Sequence, residues 1–373
     1  MQRTVAILFL CVTLAACTPR GAIVIMPDSA KIGVTEPVYI GTTRAADPET
    51  GELFSGKRNQ STRFARLDVT IPPEREPGEI KWPRKNRPPD PGTEFLTSRE
   101  VLYRNAPAFR ADLADALGRQ RRGRREAIVF VHGFNNTFAE GAYRLAQLGH
   151  DIGIDGALIH YSWPSIAHPL GYAYDRDSAL FARDGLEHLI HEVIAAGADR
   201  VILVAHSMGS ALTMEALRQI AIEDDHKRLD RIAAVVLMSP DLDVDVFRAQ
   251  ALRIGELPQP FLIFTSRKDR ALALSARLTG QRNRLGNVAD VTEVADLNVT
   301  LLDTTAFSTG AGHFDAGNSR ALISILGSMR DVDAALAGDQ TGRTGLLPGA
   351  VLTVQSATGV VLSPVATLSG AMN

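Results

Sequence analysis

Cysteine is nearly absent from this chain, which has two cysteines, Cys11 and Cys17, in 373 residues. Cys11 lies in an N-terminal segment that we expect to be removed, so the mature chain has no cysteine pair for an internal disulfide. An excess of one charge is also lacking, because 40 Lys and Arg stand against 42 Asp and Glu. The resulting net charge of -2 gives no reason to expect nucleic acid as a partner.

Two common catalytic signatures are missing as well. His188 and His191 lie three residues apart, but a zinc protease requires His-Glu-x-x-His, which the sequence does not contain. These two histidines are better interpreted as part of a polar helix face. No glycine-rich dinucleotide fingerprint follows any predicted strand. We therefore expect neither a metal nor an organic cofactor.

The N-terminus carries an apolar run, residues 5–16, that is too short to span a bilayer and is typical of a signal peptide. It ends in Leu14-Ala-Ala-Cys17, which resembles the bacterial lipoprotein cleavage box and implies cleavage after residue 16 and a lipid on Cys17. Such a lipid tethers a protein to a membrane without spanning it. The residue directly after Cys17 is Thr18 rather than an aspartate. This residue indicates an outer-membrane protein of the bacterial envelope that faces the periplasm. An ordinary secretory signal remains the alternative.

Composition and pattern divide the remaining chain into three parts. Residues 17–35 are expected to form a tether, residues 36–337 one α/β domain, and residues 338–373 a flexible C-terminal tail with few charges. Seven prolines within residues 72–92 exclude regular structure there and predict a long surface excursion. The hydrophobic content of 45% is ordinary for a globular protein with a substantial core.

Short runs of Val, Ile and Leu alternate with helical periodicity from residue 127 onward. Strands are predicted at 38–40, 64–71, 127–131, 157–162, 201–204, 232–237, 261–264 and within 291–302. Helices are predicted at 107–118, 137–148, from after 165 to beyond 193, at 271–278 and at 319–336. Continuous hydrophobic strands that alternate with helices indicate a mostly parallel central sheet with helices on both faces.

One of these strands runs directly into Ser207 and then into a helix of small residues. A serine at a sharp strand-to-helix turn needs small flanking residues, and the residues two positions away are Ala205 and Gly209. The nucleophile-elbow pattern is Gly-x-Ser-x-Gly, so Ala205 departs from it by one methyl group. The alternative is that Ser207 is an ordinary N-cap serine.

A catalytic serine needs a base to accept its proton and a carboxylate to orient that base. In the α/β-hydrolase arrangement the order along the chain is Ser, acid, His, and His313 alone of the nine histidines lies beyond the strands that could supply the acid. Asp269 follows the strand at 261–264, the strand that this arrangement normally uses, and is the preferred acid. Asp241, after the preceding strand, stays open as the alternative.

The oxyanion formed when serine attacks a carbonyl needs preorganised donors, usually two backbone amides. Met208 follows the serine at a helix N-terminus and supplies the first amide. Phe134, in His-Gly-Phe directly after a strand, is the predicted second donor, since Gly133 lets the loop turn closely. His132 precedes Ser207 in the chain and is interpreted as a residue that orients the loop.

Three further motifs carry a family resemblance, namely Ile40-Gly-Thr-Thr-Arg44, His132-Gly-Phe-Asn-Asn136 and Tyr161-Ser-Trp-Pro-Ser165. With the elbow, they make the chain from about Val38 to the last predicted helix resemble the α/β-hydrolase superfamily, and within it a bacterial esterase/lipase-like family of poorly defined substrate. The resemblance implies the α/β-hydrolase fold, a triad of Ser207, Asp269 and His313, and a hydrolase that needs no metal.

The expected function is hydrolysis of a small-molecule or lipid carboxylic ester through an acyl-serine intermediate. A thioesterase, amidase or acyltransferase would use the same residues. A catalytically silent envelope lipoprotein that uses the fold for binding is the alternative from another class. Nothing in the sequence indicates an oligomeric state.

Overall fold

The computed structural model describes residues 20–47, 52–223, 226–280, 284–288 and 291–305 and the backbone of two strands at 350–356 and 359–364. The strands in these residues are β1 Val34–Arg44, β2 Arg58–Ile71, β3 Leu96–Tyr103, β4 Glu126–Val131, β5 Ala157–Ser162, β6 Arg200–His206, β7 Ile232–Met238, β8 Phe261–Thr265, β9 Thr300–Asp303, β10 Ala350–Ser356 and β11 Gly359–Pro364. They form one sheet in the order β11-β10-β9-β8-β7-β6-β4-β5-β1-β2-β3.

The central part of this sheet is parallel. Strands β10, β9, β8, β7, β6, β4, β5 and β1 pair in parallel with their neighbours in that order. Antiparallel pairing is found at the two edges, where β2 and β3 follow β1 and where β11 follows β10. The predicted mostly parallel sheet is confirmed, and β4 and β8 are buried almost throughout, as strands covered on both faces must be.

The α-helices of the described residues are α1 Ala106–Gly118, α2 Phe138–Ile152, α3 Tyr172–Phe181, α4 Arg183–Ala195, α5 Met208–Ile222, α6 His226–Leu229, α7 Val244–Ile254 and α8 Arg270–Leu278. Short 3-10 helices span Pro27–Lys31, Leu285–Asn287 and Val291–Val294. Helices α1, α4, α5 and α7 bury apolar residues in one core cluster, whereas α2 buries Tyr143 and Leu145 in another. Val129 of β4 belongs to the first cluster and its neighbour Phe130 to the second, so helices cover both faces of the sheet.

The helix predicted after residue 165 is two helices in the structure. Helices α3 and α4 meet at Ala182, whose φ and ψ are -84° and -3°. The hydroxyl of Tyr161, from β5, donates a hydrogen bond of 2.5 Å to the carbonyl of Ala182. We attribute the break to this contact with the sheet. The helical periodicity of the sequence carries no information about such a contact. The predicted helix at 319–336 lies outside the described residues.

The N-terminal tether predicted at 17–35 is bound to the domain from residue 20 onward. The guanidinium of Arg20 donates to the carboxylate of Glu140 at 2.6 Å and to the backbone carbonyl of Asn135 at 2.7 Å. Farther along, the amide of Met26 donates to the carbonyl of Thr97 in β3 at 2.8 Å. The segment after residue 20 is therefore not a free linker, because it pairs with an otherwise open edge of the sheet.

The C-terminal stretch predicted to be a flexible tail contains β10 and β11. Residues 351–353 of β10 pair in parallel with residues 301–303 of β9, and β11 pairs antiparallel with β10. Both strands contain two Val residues, and Val is a residue type that favours extended structure. The low charge of this stretch is thus compatible with strands that extend the sheet beyond β9.

The proline-rich excursion, residues 72–92, has no helix or strand in any of its residues, all of which the structure describes. It nevertheless packs against α2. The indole of Trp82 stacks on the ring of Tyr143 with centroids 4.9 Å apart and an interplanar angle of 6°. The guanidinium of Arg75 forms an ion pair with the carboxylate of Asp151. The excursion therefore packs along α2, against Tyr143 and against Asp151 near the C-terminal end of that helix.

Candidate active site

Ser207 lies at the tip of the turn between β6, which ends at His206, and α5, which begins at Met208. Its φ is 51° and its ψ is -121°, a backbone conformation that residues with a Cβ atom rarely adopt. Such strain persists only where the surrounding structure imposes it, and it is concentrated at functional sites. The side chain of Ser207 makes no capping hydrogen bond to α5, so the structure does not support the ordinary N-cap interpretation.

Hydrogen bonds to the neighbouring strand hold the backbone of Ser207 in this conformation. Its amide donates to the carbonyl of Met238, the last residue of β7, at 3.0 Å. Its carbonyl accepts from the amide of Asp241 at 3.1 Å and from that of Ser210 at 3.0 Å. The strained turn is therefore pinned on both sides of the serine.

Gly209 is required by the close approach of α5 to β4. A Cβ atom at position 209 would lie 2.4 Å from the carbonyl oxygen of His132 and 2.6 Å from that of Val131. Backbone oxygens cannot move aside as a flexible side chain can. Ala205 already accommodates its methyl group, since it is fully buried in the core. The departure from Gly-x-Ser-x-Gly thus falls at the position where a methyl group fits.

We expect Gly209→Ala to lower the free energy of unfolding by about 1–3 kcal/mol, because the new methyl group forces α5 away from β4. Gly118→Ala is the matched control, since a Cβ atom there would have no neighbour within 4 Å. That control should leave stability unchanged or raise it by up to about 1 kcal/mol. Urea unfolding of both variants measures the difference, and equal effects would contradict the steric explanation.

An open cavity of about 580 Å³ lies above Ser207. Most of its wall is apolar, but charged side chains also reach it. The apolar and aromatic lining includes Trp82, Phe134, Pro169, Tyr172, Leu272 and Leu278, and the charged lining is Glu140, Arg144 and Asp241. A concave, mostly apolar site with a few polar groups is typical of small-molecule binding.

The loop after β4 lies directly against Ser207. A Cβ atom on Gly133 would be 2.9 Å from the Cβ atom of Ser207 and 2.5 Å from Nδ1 of His206, so only glycine permits this approach. Phe134 follows and lines the cavity beside the serine. Among the described residues, neither the amide of Phe134 nor that of Met208 has a hydrogen-bond acceptor. Two backbone donors next to the serine are therefore available to a ligand.

The two candidate acids have different surroundings. Asp269 is the N-cap of α8, where its carboxylate accepts from the amide of Leu272 at 3.0 Å. Asp241 reaches the cavity, and its carboxylate accepts from the hydroxyls of Ser275 at 2.5 Å and Tyr172 at 2.9 Å. It also forms a buried ion pair with Nε of Arg284 at 3.1 Å. Asp241 is thus engaged by three neighbours.

His313 and Cys17, the predicted base and lipidation site, lie outside the described residues. Of the remaining predicted residues, Ser207 and Phe134 line the cavity, and Met208 directly follows Ser207 at the start of α5. Asp269 does not line the cavity, although Leu272 of the helix that it caps does.

The family model described as an alpha/beta hydrolase of unknown function (DUF900) matches residues 106–324, more than half of the chain. The chain belongs to this α/β-hydrolase family. The match includes β4, the elbow at Ser207 and Asp269. The mostly parallel sheet with helices on both faces is accordingly the α/β-hydrolase fold that the sequence motifs predict.

Two esterases are among the solved structures to which this α/β-hydrolase is similar. One is esterase 2 from Thermogutta terrifontis, with 13% identity, a TM-score of 0.34, and coverage of 75% of this chain and 90% of that chain. The other is the esterase from Pyrobaculum calidifontis, with 12% identity, a TM-score of 0.35, and coverage of 61% and 90%. At these low identities and TM-scores, neither structure supports an argument about the activity of this chain. No curated protein matches the chain.

His132 of this α/β-hydrolase is a buried residue of the loop and not a base at Ser207. Its ring stacks on Trp163 with centroids 4.8 Å apart, and the indole N–H of Trp163 donates to the carbonyl of His132 at 2.7 Å. Burial, and secondarily the charge of Arg44, hold the pKa of His132 well below its usual range. The imidazole is therefore neutral at pH 7 and orients the loop, as the sequence interpretation has it.

The sequence interpretation missed two buried charged residues near this loop, Arg44 and Asp175. Arg44 is the last residue of the first of the three short family motifs, and this position was the sequence signal that could have identified it. Within the described residues, no group of three or more His, Cys, Asp or Glu is arranged to hold a metal ion. In the same residues, no helix is both long and apolar enough to cross a membrane.

Proposed function

We propose that this α/β-hydrolase cleaves carboxylic esters through an acyl-serine intermediate, with Ser207 as nucleophile, His313 as base and Asp269 as the acid that orients it. The observation that supports this proposal most strongly is the strained Ser207 at the base of a cavity, beside two backbone amides without acceptors. A binding scaffold has no need of that combination.

In the proposed acylation, His313 takes the proton of the Ser207 hydroxyl while the oxygen attacks the ester carbonyl carbon. The carbonyl oxygen becomes an oxyanion that accepts hydrogen bonds from the amides of Phe134 and Met208. The tetrahedral intermediate then breaks its bond to the alcohol oxygen, and that oxygen leaves with the proton held by His313.

The proposed deacylation repeats these steps with water. His313 takes a proton from a water molecule, whose oxygen attacks the acyl carbon, and the same two amides hold the second oxyanion. The bond to the serine oxygen breaks and Ser207 recovers its proton from His313. A carboxylic acid is released, and no metal or organic cofactor takes part.

The cavity lining supports a substrate with an apolar acyl group, either a small-molecule ester or a lipid. Thioesters, amides and acyl transfer would use the same serine, so a substrate panel distinguishes them. We also propose that a lipid on Cys17 tethers the mature protein to the outer membrane, facing the periplasm. The proposal rests on the cleavage-box resemblance at Leu14–Cys17 alone.

A fluorophosphonate probe tests the nucleophile in the full chain. We expect one covalent adduct, which peptide mass spectrometry maps to Ser207, because the probe reacts with activated serines and the amides of Phe134 and Met208 hold its phosphoryl oxygen. Absence of labelling in a protein that remains folded by circular dichroism would contradict the proposed function. It would favour the catalytically silent binding protein instead.

A further inference from the structure

Arg44 is a large, almost fully buried cation, with 1% of its surface exposed, at the end of β1. Its guanidinium contacts both ends of the loop 132–136: it donates to the carbonyl of Asn136 at 2.9 Å and lies 3.4 Å from Nε2 of His132. Burial lowers the pKa of Arg44 to about 10, so the group is still charged at neutral pH. Phe134 lies between the two contacted residues.

The same guanidinium fixes the segment after β5. Its Nε donates to the hydroxyl of Ser162 at 2.9 Å, and one Nη donates to the carbonyl of Ser165 at 3.0 Å. The three short family motifs therefore meet at one side chain. A planar group with five donors can join several acceptors in fixed directions, whereas the single ammonium of lysine cannot.

Asp175, on α3, is a second buried charge that holds this loop, with no exposed surface. Its Oδ2 accepts from the hydroxyl of Ser165 at 2.6 Å and from the amide of Asn135 at 3.2 Å. The hydroxyl of Ser165 in turn accepts from the amide of Asn136 at 3.2 Å. The loop is thus bound to charged or hydroxyl groups on both sides of Phe134.

Asn135 shows that these contacts impose a conformation on the loop. Its φ is 59°, in the left-handed region that few residues other than glycine adopt. Its amide is directed to Asp175 and its side chain to Arg20. Because Asn135 directly follows Phe134, a change in its conformation would redirect the adjoining peptide groups.

We propose that Arg44 and Asp175, linked through Ser165, are positioning residues that aim the amide of Phe134 at the oxyanion. They touch neither the substrate nor Ser207 and act through residues 132–136. This inference rests on the proposed function. Its chemical consequence is specific, because the affected interaction is the hydrogen bond to the carbonyl oxygen of the substrate.

A pair of substrates isolates that hydrogen bond. An aryl ester and its thionoester differ only in the carbonyl atom, oxygen or sulfur, and sulfur is the weaker hydrogen-bond acceptor. An oriented amide donor therefore favours the oxygen ester in the transition state. A displaced donor lowers the oxygen-ester rate more than the thionoester rate. A smaller fraction of folded enzyme lowers both rates by the same factor.

We expect Arg44→Lys to lower kcat for the oxygen ester by about 10- to 100-fold with little change in KM. The ratio of oxygen-ester to thionoester kcat/KM should fall by about 10-fold. Ser165→Ala is a milder second variant, because it removes the acceptor of the Asn136 amide without changing a charge. It should lower the same ratio by a smaller factor, and it keeps the test decisive if Arg44→Lys does not fold.

The matched controls lie outside the cavity lining. Arg66→Lys changes a half-buried arginine of β2 that contacts Asp68 and Asp112. Ser29→Ala removes a buried hydroxyl that bonds to Thr70 at 2.9 Å. Both should destabilise the protein, as thermal unfolding measures, and leave the substrate ratio at the wild-type value.

Two negative outcomes are distinguishable. Wild-type protein that neither turns over the oxygen ester nor reacts with the fluorophosphonate contradicts the proposed function and this inference together. Active wild-type protein whose substrate ratio is unchanged in Arg44→Lys and Ser165→Ala contradicts the inference alone, and assigns these residues a purely structural role.

Discussion

Ser207→Ala is expected to lower ester turnover by about 10⁴- to 10⁶-fold, because members of a catalytic triad act as a unit and the remaining site cannot form an acyl intermediate. The fold should persist. The Ser207 hydroxyl makes no capping bond to α5, so its removal leaves no amide of that helix without a partner. Initial rates with a short-chain aryl ester measure the loss.

Ser207→Gly separates catalysis from strain at the same position. Glycine adopts a φ of 51° without the penalty that a Cβ atom brings, and such strain costs on the order of 1–3 kcal/mol. We expect Ser207→Gly to be more stable than Ser207→Ala by about 1 kcal/mol. Both variants should be equally inactive. Turnover near the wild-type rate in either one would refute Ser207 as the nucleophile.

Asp269→Asn is expected to lower kcat by about 10³- to 10⁴-fold, since an amide in place of the carboxylate cannot stabilise the protonated base or select its tautomer. Stability should change little. Asparagine is as good an N-cap residue as aspartate, so the bond from the amide of Leu272 is retained. Turnover and urea unfolding of the same preparation measure the two effects.

Asp241→Asn should show the opposite pattern. Its charge balances Arg284 in a buried ion pair, and loss of one partner of such a pair costs about 3–5 kcal/mol of stability. We expect kcat to stay near the wild-type value under conditions in which the variant is folded. If instead kcat falls in Asp241→Asn and not in Asp269→Asn, the acid is Asp241.

Local pattern was sufficient to predict the parallel core of the sheet. The strand predicted at 157–162 has the same bounds in β5, and the predictions at 127–131, 232–237 and 261–264 each differ from the structure by one residue. These strands are largely buried on both faces, so most of their residues are apolar, although β5 also contains the buried polar residues His160 and Ser162.

Elements defined by distant contacts were predicted poorly. Strand β3 is an edge strand with polar, partly exposed residues. The break between α3 and α4 lies at Ala182, whose carbonyl accepts a hydrogen bond from the distant hydroxyl of Tyr161. The interpretation of residues 338–373 as a flexible tail relied on composition, which does not report the edge of β9 to which β10 pairs.

The sequence by itself determined the alternation of strands and helices in the parallel core and the serine turn, because hydrophobic periodicity and small residues around Ser207 are local properties of the chain. Only the tertiary structure decided how Asp241 is paired, which glycines permit close approach, and how the loop at Phe134 is held. Arg44 and Ser165 are 121 positions apart, and their contact exists only because β1 and β5 are neighbours in the sheet. Contacts of that kind depend on packing, which no local pattern encodes.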